Sequence, residues 1–279
     1  MPFLPKLSQE RLLDAGRRSA HMNLSDIAAM ASTPRFALVQ LSLPKTYAVS
    51  LVETFYQGLA EALTNDNVDV VGGNITSTAG PFAASITLGG EIPAGQSILR
   101  TGSQPGDWIG CTGYPGLAAA GLHTWMHPEL PLPSEDRETL LNGYFRPTAR
   151  VKEAHSLAPY LRALTDISDG FLLDLYNLLG TTQLGADLNK DSLPHSTSLV
   201  SLEQATDKPS HFYMFSPSDD YELLFTMSPE QRSKWLAQSN LHPSTPIHWL
   251  GRVTDQHNEI RLHQPKTYQA LSPTGWHHF

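Results

Sequence analysis

The sequence predicts an α/β chain (α+β in the arrangement of its elements), and three observations carry the prediction. Residues 46–63 repeat apolar side chains at helical spacing, with Ala48, Val52, Phe55, Leu59 and Ala62 on one face. Residues 36–43, 68–71 and 82–88 are short apolar runs closed by Pro44, Gly72-Gly73 and Gly89-Gly90, as strands are. Beyond Leu99 the pattern changes to strand, glycine turn and small-residue helix, which marks a domain entrance near residue 100.

In chain order, residues 1–7 read as extended because prolines stand at 2 and 5, and a helical pattern runs from Ser8 through Leu12 and Leu13 towards His21. Residues 22–30 read as an Ala-rich helix with Asn23, Ser25 and Asp26 at one end. These polar residues are either its cap or, through Asp26, part of a metal site. Tyr56 lies beside the apolar face of the 46–63 helix, where core packing is the usual fate and ligand stacking the rarer one. Residues 68–71 read as a short buried strand, and the glycines after it permit backbone conformations close to a phosphate. Residues 82–88 alternate as a half-buried strand does. Arg100 is the only cation on the approach to the strand at 108–112, and it binds phosphate or solvates a linker. Prolines 128, 131 and 133 mark a loop, and Ser134 starts a charged helix.

Residues 151–164 show helical spacing, and the turn Asp166-Ile167-Ser168-Asp169-Gly170 follows. The next stretch has apolar residues at 172, 175, 178 and 179 and a glycine stop at 180, so a second helix is expected there. Two carboxylates and a hydroxyl near a helix N-terminus suit a metal-bound polyphosphate; an N-cap with a spare aspartate is the plainer alternative. Residues 193–211 are polar and read as a mobile surface segment. Residues 219–226 read as a strand led by acids, with Tyr221, Leu223 and Phe225 on one side. Ser228-Pro229-Glu230-Gln231 carries a helix cap and first-turn proline, and 247–253 and 260–262 read as closing strands.

Composition narrows the function. Of 279 residues 40% are hydrophobic and 16% charged, which are globular values. The net charge of −8, without a long basic run, argues against nucleic acid as a partner. One cysteine excludes an internal disulfide and a thiolate zinc site, and the twelve histidines are too scattered to suggest a metal centre. No leader-like apolar segment or membrane-length run is present, so a cytoplasmic location and no membrane association are expected.

Several motifs, in order, resemble the thiamine-monophosphate kinase family of the aminoimidazole-ribonucleotide-synthetase-like superfamily. They are residues 23–30 (Asn-Leu-Ser-Asp-Ile-Ala-Ala-Met), 71–74 (Val-Gly-Gly-Asn), Arg100 with 105–109, 146–148 (Arg-Pro-Thr), 166–170, 219–226 and the tail 275–279 (Gly-Trp-His-His-Phe). Each is modest alone; seven in order and spacing are specific. The resemblance implies a two-domain PurM-like fold, with residues 1–99 and 100–279 as its domains, and a homodimer that binds nucleotide near the subunit interface. It implies transfer of the γ-phosphoryl group of ATP in line onto thiamine monophosphate, with Mg²⁺ as the cofactor. Carried over by position, Asp26, Asp166 and Asp169 are expected as Mg²⁺ ligands. Tyr56, Gly73, Asn74, Arg100 and Ser168 are expected as ATP contacts, Asp219 near the thiamine moiety, and Trp276 stacked on its cationic rings.

Three departures stand out. The family opens with an Asp-Asp pair, an Asp-Thr pair and a Val-His-Phe segment; here Phe3-Leu4-Pro5 fits the tail of that segment and Pro2 stands in the histidine's place. The N-terminal domain is therefore expected to be incomplete, with an exposed sheet edge. Asn74 replaces an aspartate, and Pro217-Ser218-Asp219 replaces Gly-Gly-Glu. A member of the family that binds nucleotide or thiamine phosphates without turnover is the alternative. Another superfamily enzyme, acting on an amide or amidine, fits the tail and the 219–226 stretch less well.

Overall fold

The computed structural model describes residues 9–180, 182–238 and 243–276; the expectations for residues 1–8 and for His277 to Phe279 lie outside the described residues. Helix α1 (Gln9–Ala29) runs unbroken through both N-terminal stretches that the sequence separates. Asn23 is no cap: its amide nitrogen donates to the Ser19 carbonyl one turn back. Strand β1 (Thr33–Pro44) and helix α2 (Val49–Asn65) follow, then strands β2 (Asp69–Thr78) and β3 (Ala83–Glu91). They form a three-stranded sheet in the order β2-β1-β3, with β2 parallel and β3 antiparallel to β1.

Period-two alternation turns Ala37, Val39 and Leu41 of β1 inward, onto Ala20, Leu24, Phe55 and Leu59 of α1 and α2. Phe36, Leu38 and Gln40 turn outward and are exposed. The strand expected at 68–71 is longer and is not buried: residues 69–77 of β2 are all exposed, because β2 is a sheet edge and the two helices cover β1 instead. Gly73 has a structural reason here. A β-carbon on it would lie 2.7 Å from the carbonyl carbon of Val39 and closer still to its oxygen, so only glycine lets β2 pair at this point.

The rest of the chain builds a seven-stranded sheet from β4 (Trp108–Thr112), β5 (Leu161–Asp166), β6 (Gly185–Asn189), β7 (Leu223–Met227), β8 (Ile247–Thr254), β9 (Ile260–Gln264) and β10 (Thr267–Leu271). The strand order is β10-β9-β6-β8-β4-β7-β5. Its helices are α3 (Leu117–Met126), α4 (Ser134–Phe145), α5 (Val151–Leu157), α6 (Phe171–Gly180), α7 (Thr197–Thr206), α8 (Ser210–Met214) and α9 (Pro229–Leu236).

Three expectations are corrected. The helix expected over 151–164 stops at Leu157; Pro159 sits in a 3-10 turn, and the chain then pairs with β7 as β5. The segment expected to be mobile contains α7, capped by the Ser196 hydroxyl, which accepts from the Leu199 amide at 3.2 Å. Leu199 and Leu202 anchor it in a small core. The strand expected from 219 begins only at Leu223, because Tyr221 has a left-handed backbone (φ 55°). The Ser228 cap forms as expected, its oxygen accepting from Gln231 N at 3.2 Å.

Strand β7 is buried on both faces. Leu223, Phe225 and Met227 join α1, α2, β1 and α5 in one apolar cluster, while Leu224 joins Ile109, Cys111, Leu172 and Leu175 in another. The three-stranded sheet and one side of the larger sheet therefore share a core. That packing brings α1 onto the end of β5.

Candidate functional site

Strand β5 delivers Asp166, 2% exposed, to the C-terminal end of its path, and the Ile167–Gly170 turn leads into α6. From α1, 141 residues earlier, the Ser25 hydroxyl donates to Asp166 Oδ2 at 2.6 Å. The next residue on that helix is Asp26, at the solvent rim. Burial pushes the Asp166 carboxyl above its usual range, opposed by the Ser25 hydrogen bond and the positive charge of Arg100, and Asp169 adds repulsion. Asp26 is also pushed up, by partial desolvation and by Asp166, while Arg100 pulls it back. Three carboxylates thus share one electrostatic neighbourhood with a single exposed guanidinium among its named charges, an arrangement that a divalent cation would relieve.

The turn is held from several sides. Its Ile167 amide donates to Glu222 O and its Ile167 carbonyl accepts from Tyr221 N, both at 2.8 Å. Gly170 has φ 130°, and a β-carbon there would lie 3.2–3.4 Å from Ser216 O, Pro217 Cα and Ser218 N. The Trp276 amide donates to Asp169 O at 2.9 Å, so the tail rests on the acidic turn while Trp276 as a whole is 58% exposed. Asp174 of α6 reaches back: its Oδ2 accepts from the amides of Ser168, Asp169 and Gly170.

The acids of 219–222 divide by role. Asp220 accepts from the amides of Gly116 and Ala118 at 2.7 and 2.8 Å, which locks it to the start of α3, and burial raises its pKa to about 6. Glu222 takes a two-pronged contact from Arg150, with 2.7 and 2.5 Å bonds, and the Thr112 hydroxyl at 2.5 Å. Both line a 160 Å³ cleft with Arg146, Thr148 and Tyr114. Asp219 faces outward, its side chain 38% exposed, and is ion-paired with Arg18 of α1, whose guanidinium also donates to the Tyr144 carbonyl. A wider depression of 580 Å³ lies on the solvent side of α2, lined by Gln57, Ala60, Glu61, Thr64 and Asn65; none of the chemistry is there.

The structure therefore gathers Asp26, Asp166, Ser168, Asp169, Arg100, the Asp219 segment and the Trp276 backbone. Tyr56, Gly73 and Asn74 stand elsewhere: Tyr56 is half-buried on α2, edge-on to Phe55, and Gly73 and Asn74 are exposed on β2 opposite Val39 and Gln40. None of these three forms a hydrogen bond or ion pair with the acidic turn among the described residues. Nor do three His, Cys, Asp or Glu side chains there stand close enough to make a ready cage for a metal. Sequence reasoning gave no role to Arg18 or Asp174, and read Ser25 only as helix-end polarity. A serine one residue before a metal-type aspartate was the available signal for Ser25.

Comparison with known proteins follows the same lines. The family model for the N-terminal domain of AIR synthase related proteins matches residues 6–92. The thiamine-monophosphate kinase of Salmonella typhimurium is 30% identical over 99% of this chain and 82% of its own length. The crystal structure of the thiamine-monophosphate kinase from Stenotrophomonas maltophilia superposes with a TM-score of 0.82 at 32% identity, covering 93% of this chain and 80% of that one. AaThiL complexed with AMPPCP and TMP gives 0.84 at 28% identity, over 96% and 81%. A hydrogenase maturation protein of Escherichia coli, at 15% identity and a TM-score of 0.74, shares the fold alone.

Proposed function

The chain belongs to the thiamine-monophosphate kinase family, and from that premise we propose that it transfers the γ-phosphoryl group of ATP in line onto the phosphate of thiamine monophosphate, giving thiamine diphosphate and ADP. The observation that carries this reading is the convergence of Asp26 with Asp166 and Asp169 across 140 residues of sequence, joined by the Ser25–Asp166 hydrogen bond. Donor and acceptor are both anionic, so positioning and charge neutralisation are the tasks the site must perform.

Oxygen donors at Asp26, Asp166 and Asp169 fit Mg²⁺, which these residues would hold; the ion supplies neutralisation of phosphate charge. Arg100, exposed beside the acids, meets a phosphate oxygen. Ser168, in the turn that leads into α6, offers a hydroxyl, and Gly170 opens the backbone there. Tyr56, Gly73 and Asn74 complete the nucleotide contacts in this reading, and Asp219 and Trp276 flank the thiamine rings. Division of the chain near residue 99 belongs to the same reading, since β1–β3 precede it and the seven-stranded sheet follows. So does a homodimer: Phe36 and Leu38 on the outer face of β1, with Val70, Val71 and Ile75 of β2, leave an exposed apolar surface that a second copy would cover.

Two observations favour the alternative of binding without turnover. Asn74 brings an oxygen but no charge, and Asp219 is already neutralised by Arg18. A coupled assay with ATP, Mg²⁺ and thiamine monophosphate separates the two. Turnover that Asp166→Asn abolishes supports the kinase; calorimetric binding of both ligands with no turnover in the wild type supports the binder.

A further inference from the structure

We propose that Asp174 is a positioning residue: it fixes the backbone of the 167–170 turn so that Asp166 and Asp169 present their oxygens to one divalent cation. One oxygen, Asp174 Oδ2, accepts from three successive amides, Ser168 N at 3.0 Å, Asp169 N at 3.1 Å and Gly170 N at 3.2 Å. Three consecutive N–H groups aimed at one anion form a nest, which defines the φ and ψ angles of the residues that carry it.

The contact goes beyond an ordinary helix cap. In a capping box an acidic side chain of the first turn reaches back to the N-cap amide; here Asp174, in the first turn of α6, takes Gly170 N and the two amides before it as well. Asp174 therefore organises the turn as well as the start of the helix. It is 5% exposed, and Asp166 and Asp169 both repel its charge. Burying a third carboxylate next to two others is costly, and the three amide donors offset that cost only while the turn keeps its shape. Supporting contacts agree: Trp276 N holds the Asp169 carbonyl, and Gly170 packs against Pro217 and Ser218. Removing the Asp174 carboxylate frees three adjacent amides, and with them the backbone that carries the Asp169 side chain beside Asp166.

The inference rests on reading Asp26, Asp166 and Asp169 as cation ligands, so its test uses the ligand-free chain and Mn²⁺ alone. Amide hydrogen exchange and Mn²⁺ binding by electron paramagnetic resonance are measured on wild type, Asp174→Ala and Asp174→Asn. In Asp174→Ala, exchange rises at residues 168–170 while β7 stays protected, and the Mn²⁺ dissociation constant rises about 10- to 100-fold. Asp174→Asn keeps an oxygen acceptor, so it restores the protection and most of the affinity. If Asp174→Ala does not fold, Asp174→Asn still decides. Retained protection with affinity within about threefold of wild type supports positioning. Retained protection with any larger loss of affinity overturns it, because the carboxylate would then act as a ligand. Unchanged Mn²⁺ affinity in Asp174→Ala overturns it as well. A wild type that binds no Mn²⁺ overturns both this role and the ligand assignment, whereas Mn²⁺ binding without kinase turnover counts only against the kinase.

Discussion

Replacing Gly58 with alanine should damage the acidic site from the far side of a helix. Gly58 on α2 and Gly16 on α1 sit at the crossing of the two helices. A β-carbon on Gly58 would lie 2.9 Å from the Leu13 carbonyl carbon and 3.2 Å from Arg17 N, and nearer still to the Leu13 oxygen. Carbon contacts are comfortable at about 3.5–4.0 Å, so the helices must part by something on the order of 1 Å. Alanine in a helix interior is worth about 1 kcal/mol over glycine, which acts in the opposite direction. Overpacking costs about 1–3 kcal/mol, and the separation also loosens Leu12, Phe55 and Leu59, each 1% exposed or less. With the Leu13 carbonyl so close the upper end of that cost applies, and the clash wins with a net loss of up to about 2 kcal/mol and a melting temperature lower by several degrees. Because α1 also carries Ser25 and Asp26, the 2.6 Å bond to Asp166 is strained in the same variant and Mn²⁺ affinity falls with stability. Urea titration and Mn²⁺ binding are the assays. A Gly58→Ala protein more stable than wild type would refute the crossing geometry, and lost stability with full Mn²⁺ affinity would refute its connection to the site.

Other expectations follow from particular side chains. Burial, with help from Arg150, pulls the pKa of His21 down to about 4, below its unfolded value near 6.5. The unfolded chain then binds more protons between those values, so this contribution is complete above about pH 6.5 and is lost as pH falls through about 4. His21→Asn, whose oxygen can still accept from the Ala149 amide, should flatten that acid-side slope by up to about 3 kcal/mol in urea titrations at pH 4.5 and 7; an unchanged slope would show that His21 protonates freely in the fold. Buried Asp220 has the opposite sign, because its pKa is raised to about 6; its ionisation penalty is complete above that pH and relieved below it. Asp220→Asn should therefore make stability fall more steeply on acidification than in the wild type, and an equal slope in the two proteins would show an unperturbed carboxyl. Arg18→Met frees Asp219, and the KM for thiamine monophosphate should fall by up to about fivefold with the KM for ATP unchanged, as befits a partly exposed pair. A shift in the ATP constant instead would move Asp219 away from the thiamine end.

How much was legible depended on sequence distance. The turn at 166–170, the helix after it and the Ser228 cap are local, and the residues that make them are adjacent, so spacing alone revealed them. The strand at 161–166 was hidden because Leu161 and Leu164 also satisfy a helical period, and the arbiter was Pro159 together with a partner strand 60 residues away. Helix α7 was hidden by Ser, Thr and His residues that look like loop, although its apolar pair Leu199 and Leu202 is buried. The exposure of β2 depends on what covers it, which no periodicity reports. In the site, single acids were legible by type, but the Ser25–Asp166 bond and the Arg18–Asp219 pair are tertiary facts, and the three amides on Asp174, although local, depend on a turn conformation that spacing does not report.

Calorimetry of Mg²⁺-dependent AMPPCP binding to wild type, Asp26→Asn, Asp166→Asn and the double variant probes the convergence of α1 and β5 most directly. If both carboxylates serve one ion, each single change weakens binding by about tenfold or more and the double change costs little beyond the worse single one. Losses that add in full, or an Asp26→Asn protein that binds like wild type, would mean that the two acids do not share a ligand.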